Sequence, residues 1–303
     1  MKKYLFKIFI FVIIIVLSDI LWGAFFRYWF QNIYSGEIGK ANYIAEQLDE
    51  DILIFGSSRA EFHYNPLIIR DSLGMTCYNC GVSGCGILAA FGRLSLIKEH
   101  HQPKIIIVEA SRDYDIITSD NSICFSLFKK DYERGKISEL FNDIDSTQKY
   151  KMLSQMYRYN SNFIHNPISL LKPYHGKYMP GKLHGFTPLK EQFDSMKTNP
   201  SFMRCEGEID SLKLKYIEKF IDLAKGSQLF FVSSPIWYGM PLEHLAPVRN
   251  ICKRRNIPFL DFSNDPKYVH NNTLFMDGKH LNDKGADEFT KDFIMALRPL
   301  LKQ

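Results

Sequence analysis

Short apolar runs that alternate with helical segments constrain the fold of this 303-residue chain more than any other feature. The runs 51–55 and 104–108 are wholly apolar after their first residue, and stretches with helical spacing of apolar residues separate such runs. Strands are predicted at 51–55, 75–79, 104–108, 229–232 and 257–260, and helices at 66–73, 86–100, 209–225, 241–255 and 282–300. Continuous apolar strands separated by helices indicate an α/β fold whose parallel sheet is covered by helices on both faces.

The carboxyl ends of these predicted strands carry small and polar residues. Parallel sheets place their functional sites at the carboxyl ends of the strands. The segments that fall there are 56–58, 81–84, 111–113 and 233–234. We therefore expect all four segments to meet at one edge of the sheet.

Residues 1–30 are predicted to form a transmembrane anchor. The run 8–17 is uninterrupted apolar sequence, and 20–26 continues it after Ser18 and Asp19. A membrane-buried Asp costs about 2.5–3.5 kcal/mol, whereas each of the many Ile, Leu, Phe and Val residues returns about 0.3–0.6 kcal/mol. Insertion is therefore favoured, and about twenty residues suffice to cross the hydrocarbon core.

Lysines before the apolar run set the expected topology. Lys2, Lys3 and Lys7 favour a cytoplasmic N-terminus and a periplasmic or extracellular body. A cleaved signal peptide is the alternative, but the sequence 19–22, Asp-Ile-Leu-Trp, has no small-residue cleavage pattern. An uncleaved anchor is the favoured interpretation.

The rest of the chain is predicted to be a linker at 31–50 and a body at 51–303 with an insertion at 115–206. In the later part of the insertion, 149–204, nine basic residues face two acidic ones, and aromatic residues are interleaved with them. The set comprises Lys149, Lys151, Arg158, Lys172, Lys177, Lys182, Lys190, Lys197 and Arg204, with Tyr150, Tyr157, Tyr159, Phe163, Tyr174, Tyr178, Phe186, Phe193 and Phe202, against Glu191 and Asp194. This pattern suits an anionic or glycan polymer. A mostly helical cap, with these aromatics as its own small core, explains the pattern slightly better.

The net charge and the cysteines limit which partners and cofactors are expected for this chain. The formal net charge of +5 does not call for a nucleic-acid partner. Export would permit disulfides among the six cysteines. Cys77 and Cys80 lie about 10 Å apart in extended chain, beyond disulfide reach, so buried small side chains are the expected role. No zinc-ligand spacing is present, and neither a metal nor another cofactor is predicted.

Three residues have the chemistry of a serine hydrolase. Ser58 follows the first strand through a turn that contains Gly56, which would expose its hydroxyl. Asp277 and His280 lie in one loop before the final helix. A serine nucleophile needs a base and a group that orients the base, so we predict His280 as the base and Asp277 as its partner.

These motifs resemble the blocks of the SGNH/GDSL hydrolase superfamily. Gly56-Ser57-Ser58 is similar to its first block, Gly-Asp-Ser, and Asp277-Gly-Lys-His280 to its last. Asn79-Cys-Gly-Val-Ser-Gly84 is similar to the second block. The resemblance implies a three-layer α/β/α sandwich with a flavodoxin-like parallel sheet. It further implies a Ser-His-Asp triad, with an oxyanion hole formed by the N–H groups of Ser58 and Gly84.

The third block departs from the family pattern. The family has Gly-x-Asn-Asp there, but this chain has Ala110-Ser111-Arg112-Asp113, so Arg112 stands in place of the Asn donor. The anchored architecture also resembles envelope acyl-transfer proteins that act beside membrane-bound O-acyltransferases. An acylated glycan is the expected substrate, and such an O-acyltransferase is a candidate partner.

The sequence also allows other interpretations of single residues and of the function. Arg59 has two equally weighted roles, a contact to a substrate carboxylate or an ion pair with Glu61. The sequence 84–89 imitates a dinucleotide-binding fingerprint, with Glu109 as the ribose-binding acid. However, residues 80–83 intervene between strand and glycine. A glycan-binding scaffold without turnover is the non-enzymatic alternative.

Overall fold

The computed structural model of the protein describes residues 1–34, 36–159, 181–193 and 207–302. The chain divides into two compact units. One unit combines Met1–Glu46 with Ser122–Met179, and the other combines Gln47–Asn121 with Pro180–Gln303.

The second unit is built on a five-stranded, all-parallel sheet in the order β2-β1-β3-β4-β5. The strands are β1 (Ile52–Phe55), β2 (Cys77–Asn79), β3 (Ile105–Glu109), β4 (Gln228–Ser233) and β5 (Phe259–Asp261). This is the strand order of flavodoxin-like doubly wound folds. The predicted α/β fold with a parallel sheet is confirmed.

Helices flank the sheet and make up most of the first unit. Those whose full extent is described are α1 (Lys2–Gln31), α2 (Gly36–Glu46), α3 (Ser58–His63), α4 (Pro66–Leu73), α5 (Ile87–Ile97), α6 (Arg112–Asp115), α7 (Phe125–Phe128), α8 (Ile137–Ile144), α9 (Gln148–Lys151), α10 (Ser211–Leu223), α11 (Ala246–Arg254) and α12 (Asp283–Leu297). In the second unit, α12 packs against α3 and α4, while α10 packs against α5 and α11.

The residues of β1, β2 and β3, and all of β4 after its first residue, are buried on both sides of the sheet. Isoleucines of β1 and β3 join a core cluster with Phe289 and Phe293 of α12. Phe55 of β1 contacts Phe220 of α10 on the opposite face. Burial on both faces explains why the strands are continuously apolar rather than alternating in polarity.

Strand register brings the carboxyl ends of β1, β3 and β4 to one edge. Phe55 pairs with Val108, and Glu109 pairs with Val232. The segments that follow these strands carry Ser58, Arg112 and Ser234. The expected convergence of polar segments at this edge is therefore present.

In the first unit, α1 is 30 residues long and, among the described residues, is the one helix long and apolar enough to cross a membrane. Residues 36–46, expected to be linker, form α2. Ile38, Tyr43 and Ile44 of α2 are buried, and the Asn42 side chain donates to the carbonyls of Phe30 and Ile33 at the end of α1. These contacts, not a regular apolar period, stabilise the helix.

Part of the expected insertion belongs to the second unit. Phe186 and Phe193 are buried in the core cluster of the sheet. The N–H of Asn79 donates to the carbonyl of His184, and the N–H of Phe193 donates to that of Phe275. These two aromatics are thus neither a ligand platform nor the core of a separate cap. The insertion residues Phe163, Lys172, Tyr174, Lys177, Tyr178, Asp194, Lys197, Phe202 and Arg204 lie outside the described residues.

The structure describes five of the six cysteines. All five of them, Cys77, Cys80, Cys85, Cys124 and Cys252, are buried. This confirms the interpretation of Cys77 and Cys80 as buried small side chains. Cys205 lies outside the described residues.

Gly56, which links β1 to α3, should tolerate no side chain. Its φ is +144°, and a Cβ there would lie 2.8 Å from the Glu109 carbonyl oxygen and 3.0 Å from the Ala60 Cβ. We expect Gly56→Ala to lower the free energy of unfolding by about 2–5 kcal/mol through backbone strain plus overpacking. Gly74→Ala is the matched control, because Gly74 also has positive φ, +67°, but open space around it. That variant should lose only about 1–2 kcal/mol. Equal losses in denaturant titrations of the two variants in detergent would contradict the packing argument.

Candidate active site

The structure brings Ser58, His280 and Asp277 into one hydrogen-bonded chain. The Ser58 Oγ lies 2.8 Å from His280 Nε2, and His280 Nδ1 lies 2.8 Å from Asp277 Oδ2. The other oxygen of Asp277 accepts the N–H groups of Lys279 at 2.7 Å and His280 at 2.8 Å. This order of contacts fixes the proton of a neutral His280 on Nδ1 and leaves Nε2 free to accept from the serine.

A tight loop presents Asp277 and His280 to the sheet edge. An isolated antiparallel bridge joins Phe275 to Leu281, and the N–H of Met276 donates to the His280 carbonyl. The Tyr238 ring lies over the loop, where a Cβ on Gly278 would come within 2.4 Å of it. The glycine in Asp-Gly-Lys-His is therefore required by close packing.

The start of α12 holds the far end of this loop. The Asn282 side chain accepts the N–H of Gly285 and donates to the carbonyls of Thr273 and Phe275. Helix α12 is thus capped by a side chain that also closes the loop.

Asp277 is held as a carboxylate. Partial burial acts to raise the pKa of Asp277, but the hydrogen bond and charge of His280 and the two loop N–H groups outweigh it and lower the pKa below its usual value. An ionised Asp277 can stabilise the imidazolium that forms when His280 takes a proton.

A cavity of about 490 Å³ opens beside Ser58 and His280. The mostly apolar residues of its wall are Ile236, Tyr238, Met240 and Pro241, which lie close together in the sequence. The rest of its wall, among the described residues, is more polar: Ser57, Ser58, Arg59, Ser111, Arg112, Asp113, Tyr114, Gly239, His244, Asn264, Lys279 and His280. The volume is in the range of small-molecule sites.

Two basic side chains stand at the polar side of the cavity. Arg112 donates to the carbonyl of His244 at 3.3 Å, and Lys279 forms an ion pair with Asp113 at 2.7 Å. Burial, with the charge of Arg112, lowers the pKa of His244. Of the expected oxyanion residues other than Ser58, Arg112 is the one in the cavity wall.

Gly84 and Asn79 are the two ends of the motif that resembles the second block, and neither lines the described cavity wall. Gly84 lies outside the described cavity wall, in a turn held to the body by the N–H of Val82 on the Gly56 carbonyl. The Asn79 side chain is fully buried, donates to the carbonyls of Ala60 and Tyr64, and accepts the N–H of Gly81. Its amide shapes the turn after β2 and is not available to a substrate.

Arg59 lines the cavity but does not pair with Glu61. Its guanidinium is buried, forms an ion pair with Glu109 at 3.1 Å, and donates to the carbonyls of Ala110 and Ser234. Glu61 instead accepts the N–H and hydroxyl of Ser83. Arg59 thus joins the ends of β3 and β4 directly behind Ser58, because its side chain points into the sheet edge.

Glu109 is the centre of a buried network that sequence reasoning missed. Besides Arg59, its carboxylate accepts the Tyr64 hydroxyl and both the N–H and the hydroxyl of Ser234. Burial raises the pKa of Glu109, and these partners act to lower it. No local spacing marks this network, since its members are distant in sequence.

His63 connects this network to the loop that carries His280. The N–H of Leu281, the residue after His280, donates to His63 Nε2 at 3.0 Å. His63 Nδ1 lies 2.8 Å from Ser234 Oγ. Since Nε2 accepts, the neutral ring carries its proton on Nδ1 and donates it to Ser234, which in turn donates to Glu109. His63 therefore positions the backbone beside His280.

The dinucleotide-binding interpretation conflicts with this arrangement. Glu109 is buried behind Ser58 and cannot reach a ribose. The start of α5 is taken by Asp115, whose Oδ1 accepts the N–H of Ile87, and a Cβ on Gly86 would lie 2.3 Å from the same oxygen. A pyrophosphate would have to displace that carboxylate.

Within the described part of the chain, no group of three or more His, Cys, Asp or Glu side chains is arranged to hold a metal ion.

Comparison of the chain with models of known protein families and with curated proteins gave no match. Solved structures do match at low similarity. One shares 12% sequence identity with a TM-score of 0.40, over 84% of this chain and 98% of its own. Another is a gut microbial diltiazem-metabolizing enzyme, which shares 12% identity with a TM-score of 0.40 over 83% of this chain and 48% of its own.

Burial of His63 predicts a pH dependence of stability. Burial, together with the charges of His280 and Arg59, lowers the pKa of His63 well below its usual value of 6.5. The unfolded chain therefore binds a proton that the folded chain excludes as pH falls below about 6.5. From His63 alone, the free energy of unfolding should fall by up to about 1.4 kcal/mol per pH unit.

We expect His63→Gln to flatten this slope between pH 6.5 and pH 5 in urea titrations of the full chain in detergent. Ser234→Ala is the control, because it removes the partner of His63 Nδ1 but keeps the buried ring. That variant should be less stable at every pH with the slope retained. A slope unchanged by His63→Gln would contradict the assignment of a buried neutral imidazole.

Proposed function

We propose that this chain is a membrane-anchored serine esterase of the SGNH/GDSL type that acts on O-acyl esters of cell-envelope glycans, acetyl esters first among them. The observation that carries the proposal is the continuous hydrogen-bonded chain from Ser58 Oγ through His280 to Asp277, open to a cavity. Helix α1, which carries Lys2, Lys3 and Lys7 at its N-terminal end, supports an anchor with the body exported from the cytoplasm.

The proposed reaction begins with attack of Ser58 Oγ on the ester carbonyl carbon. His280 Nε2 takes the serine proton, and Asp277 stabilises the resulting imidazolium. The tetrahedral intermediate then collapses: the ester C–O bond breaks, and His280 returns the proton to the alcohol oxygen of the departing sugar. Water, deprotonated by His280, then attacks the acyl carbon; the bond from that carbon to Ser58 Oγ breaks, His280 returns the proton to Ser58 Oγ, and the carboxylic acid leaves.

The proposed oxyanion donors are the Ser58 N–H and the Arg112 guanidinium. As the first residue of α3, Ser58 has an N–H without an intrahelical acceptor. Arg112 would supply a charged donor in place of a neutral amide, which suits an oxygen that gains negative charge in the transition state. Its anchorage on the His244 carbonyl limits how far the guanidinium can swing.

The two sides of the cavity suit the two parts of such an ester. The surface of Ile236, Met240 and Pro241 would receive the acyl group, and the polar side with Arg112 and Lys279 would face hydroxyl or acidic groups of the glycan. A cavity of about 490 Å³ is larger than an acetyl group needs, so the sugar would enter it as well.

Acyl transfer is the second candidate function. In that reaction a glycan hydroxyl, rather than water, takes the acyl group from Ser58, and a membrane-bound O-acyltransferase would be the partner. The long apolar helix α1 favours it, because a hydrolase of free glycan fragments needs no anchor. A glycan-binding scaffold without turnover accounts less well for a serine, base and carboxylate in hydrogen-bonding order.

A fluorophosphonate probe tests the nucleophile. The wild-type protein should be labelled, and Ser58→Ala should abolish labelling. Asp277→Asn should slow it by a factor on the order of 10²–10⁴, because the imidazole tautomer is then no longer held. Ser83→Ala is the control: Ser83 binds Glu61 outside the described cavity wall, so labelling should persist. A wild-type protein that stays unlabelled would defeat the hydrolase proposal.

Product analysis separates hydrolysis from transfer. With an acetylated sugar as donor, a hydrolase should release acetate at a rate that a glycan acceptor does not change. Acetyl groups appearing on the acceptor, with acetate release falling to match, would instead establish transfer. Ser58→Ala should abolish both products, which excludes a contaminating esterase.

A further inference from the structure

The acidic residue in the middle of α1, Asp19, binds a segment of the same unit. Its Oδ1 accepts the Ser154 hydroxyl at 2.7 Å and the N–H of Met156 at 3.0 Å, and its Oδ2 accepts the N–H of Gln155 at 2.7 Å. A carboxylate inside an apolar helix is costly unless it is paired or hydrogen-bonded. Here one hydroxyl and two backbone N–H groups satisfy it.

Close packing extends this contact by one helical turn. Gly23 lies on the same face of α1 as Asp19, four residues on, and a Cβ there would come within 2.1 Å of the Gln155 Cβ. Farther along, the rings of Phe26 and Phe30 stack on Tyr159. The segment 154–159 therefore packs against α1 from Asp19 to Phe30.

The position of Asp19 along α1 sets its depth in a bilayer. At about 1.5 Å per residue, Asp19 lies roughly 24 Å from Lys3, and the hydrocarbon core is about 30 Å thick. If the lysines mark the cytoplasmic boundary, Asp19 lies just inside the opposite one. If Lys7 rather than Lys3 marks this boundary, Asp19 lies deeper in the hydrocarbon core. The backbone bound to Asp19 must then lie at the edge of the hydrocarbon.

The residues next to this backbone have the composition of a membrane interface. Leu153 is 76% exposed and Met156 is 40% exposed, although both are apolar and adjoin the residues that Asp19 binds. Tyr150 is 66% exposed, and the Lys149 ammonium lies 4.9 Å from the centre of its ring. Apolar side chains below tyrosine and lysine are typical of segments that lie in the interface plane.

We infer that residues 149–156 insert into the bilayer interface on the side of the body, where Leu153 and Met156 contact acyl chains and Lys149 and Tyr150 lie among anionic headgroups. The hydrogen bonds of Asp19 hold the segment at that depth. The inference rests on the membrane-anchor part of the proposed function and is independent of the esterase chemistry.

Spin labels on the full chain in vesicles of phosphatidylcholine and phosphatidylglycerol test this placement. Leu153→Cys carries the test label, Ile14→Cys reports the depth of α1, and Met295→Cys, an exposed apolar position of the other unit, reports water. The unmutated chain gives the labelling background. We expect the Leu153 label to collide with lipid-soluble oxygen and to be protected from a water-soluble nickel chelate, at a level between the Ile14 and Met295 labels.

The outcomes separate this inference from the anchor itself. Nickel access at Leu153 equal to that at Met295, with Ile14 protected, would overturn the inference and leave the anchor intact. Protection of Leu153 from both reagents would mean that protein covers the surface, and would also overturn it. Nickel access at Ile14 would show that α1 does not span the bilayer, and the anchor would fail.

A substitution at Asp19 tests the docking bond. In Asp19→Leu the helix becomes more apolar and should keep Ile14 in lipid, but the segment loses its acceptors, so nickel access at Leu153 should rise at least threefold. Asp19→Asn keeps one acceptor oxygen and should give a smaller rise. Unchanged access at Leu153 in Asp19→Leu would contradict the role of Asp19 in setting depth.

Discussion

The arrangement at the sheet edge depends on one buried ion pair, Arg59 with Glu109. Glu109 ends β3, and Arg59 follows the serine directly, so the pair ties the start of α3 to the sheet. Removing either partner alone would leave a buried charge without compensation, which is far more costly than the net gain from the pair. Through Ser234 and His63 the same network reaches the backbone beside His280. Ser58 and His280 are thus positioned by one connected set of hydrogen bonds.

The features that could be predicted from the sequence are those that depend on a local motif or on the order of the strands. Ser58, Asp277 and His280 could be found because each lies in a short motif at an element boundary, and a parallel sheet collects such boundaries at one edge. The sequence could not show which side chains would pair with each other in the fold. Arg59 has a carboxylate two residues away at Glu61, yet it binds Glu109, fifty residues on, because tertiary packing decides where the side chain points. His63 belongs to no recognised motif. Its closeness to Ser58 in the sequence was the only feature that could have marked it as part of the site.

The first unit shows a second limit of sequence patterns. Helix α2 was expected to be linker because Ile38, Tyr43 and Ile44 are not regularly spaced, but its stability comes from burial and from Asn42 on the end of α1. Asp19 likewise looked like a penalty for membrane insertion, and its compensation comes from residues more than 130 positions away. A polar residue that interrupts an apolar pattern can thus be stabilised by partners that are distant in the sequence.

Burial of the thiols bears on the proposed export of the body from the cytoplasm. Burial raises the pKa of Cys77 well above its usual value, aided by Cys80 and Glu50, and burial raises that of Cys252 to about 12. Thiol–disulfide exchange proceeds through the thiolate, so these groups react slowly even where oxidants are abundant. The fold can thus carry unpaired cysteines through an oxidising compartment without a dedicated reductant, and mispairing would require prior unfolding of the sheet.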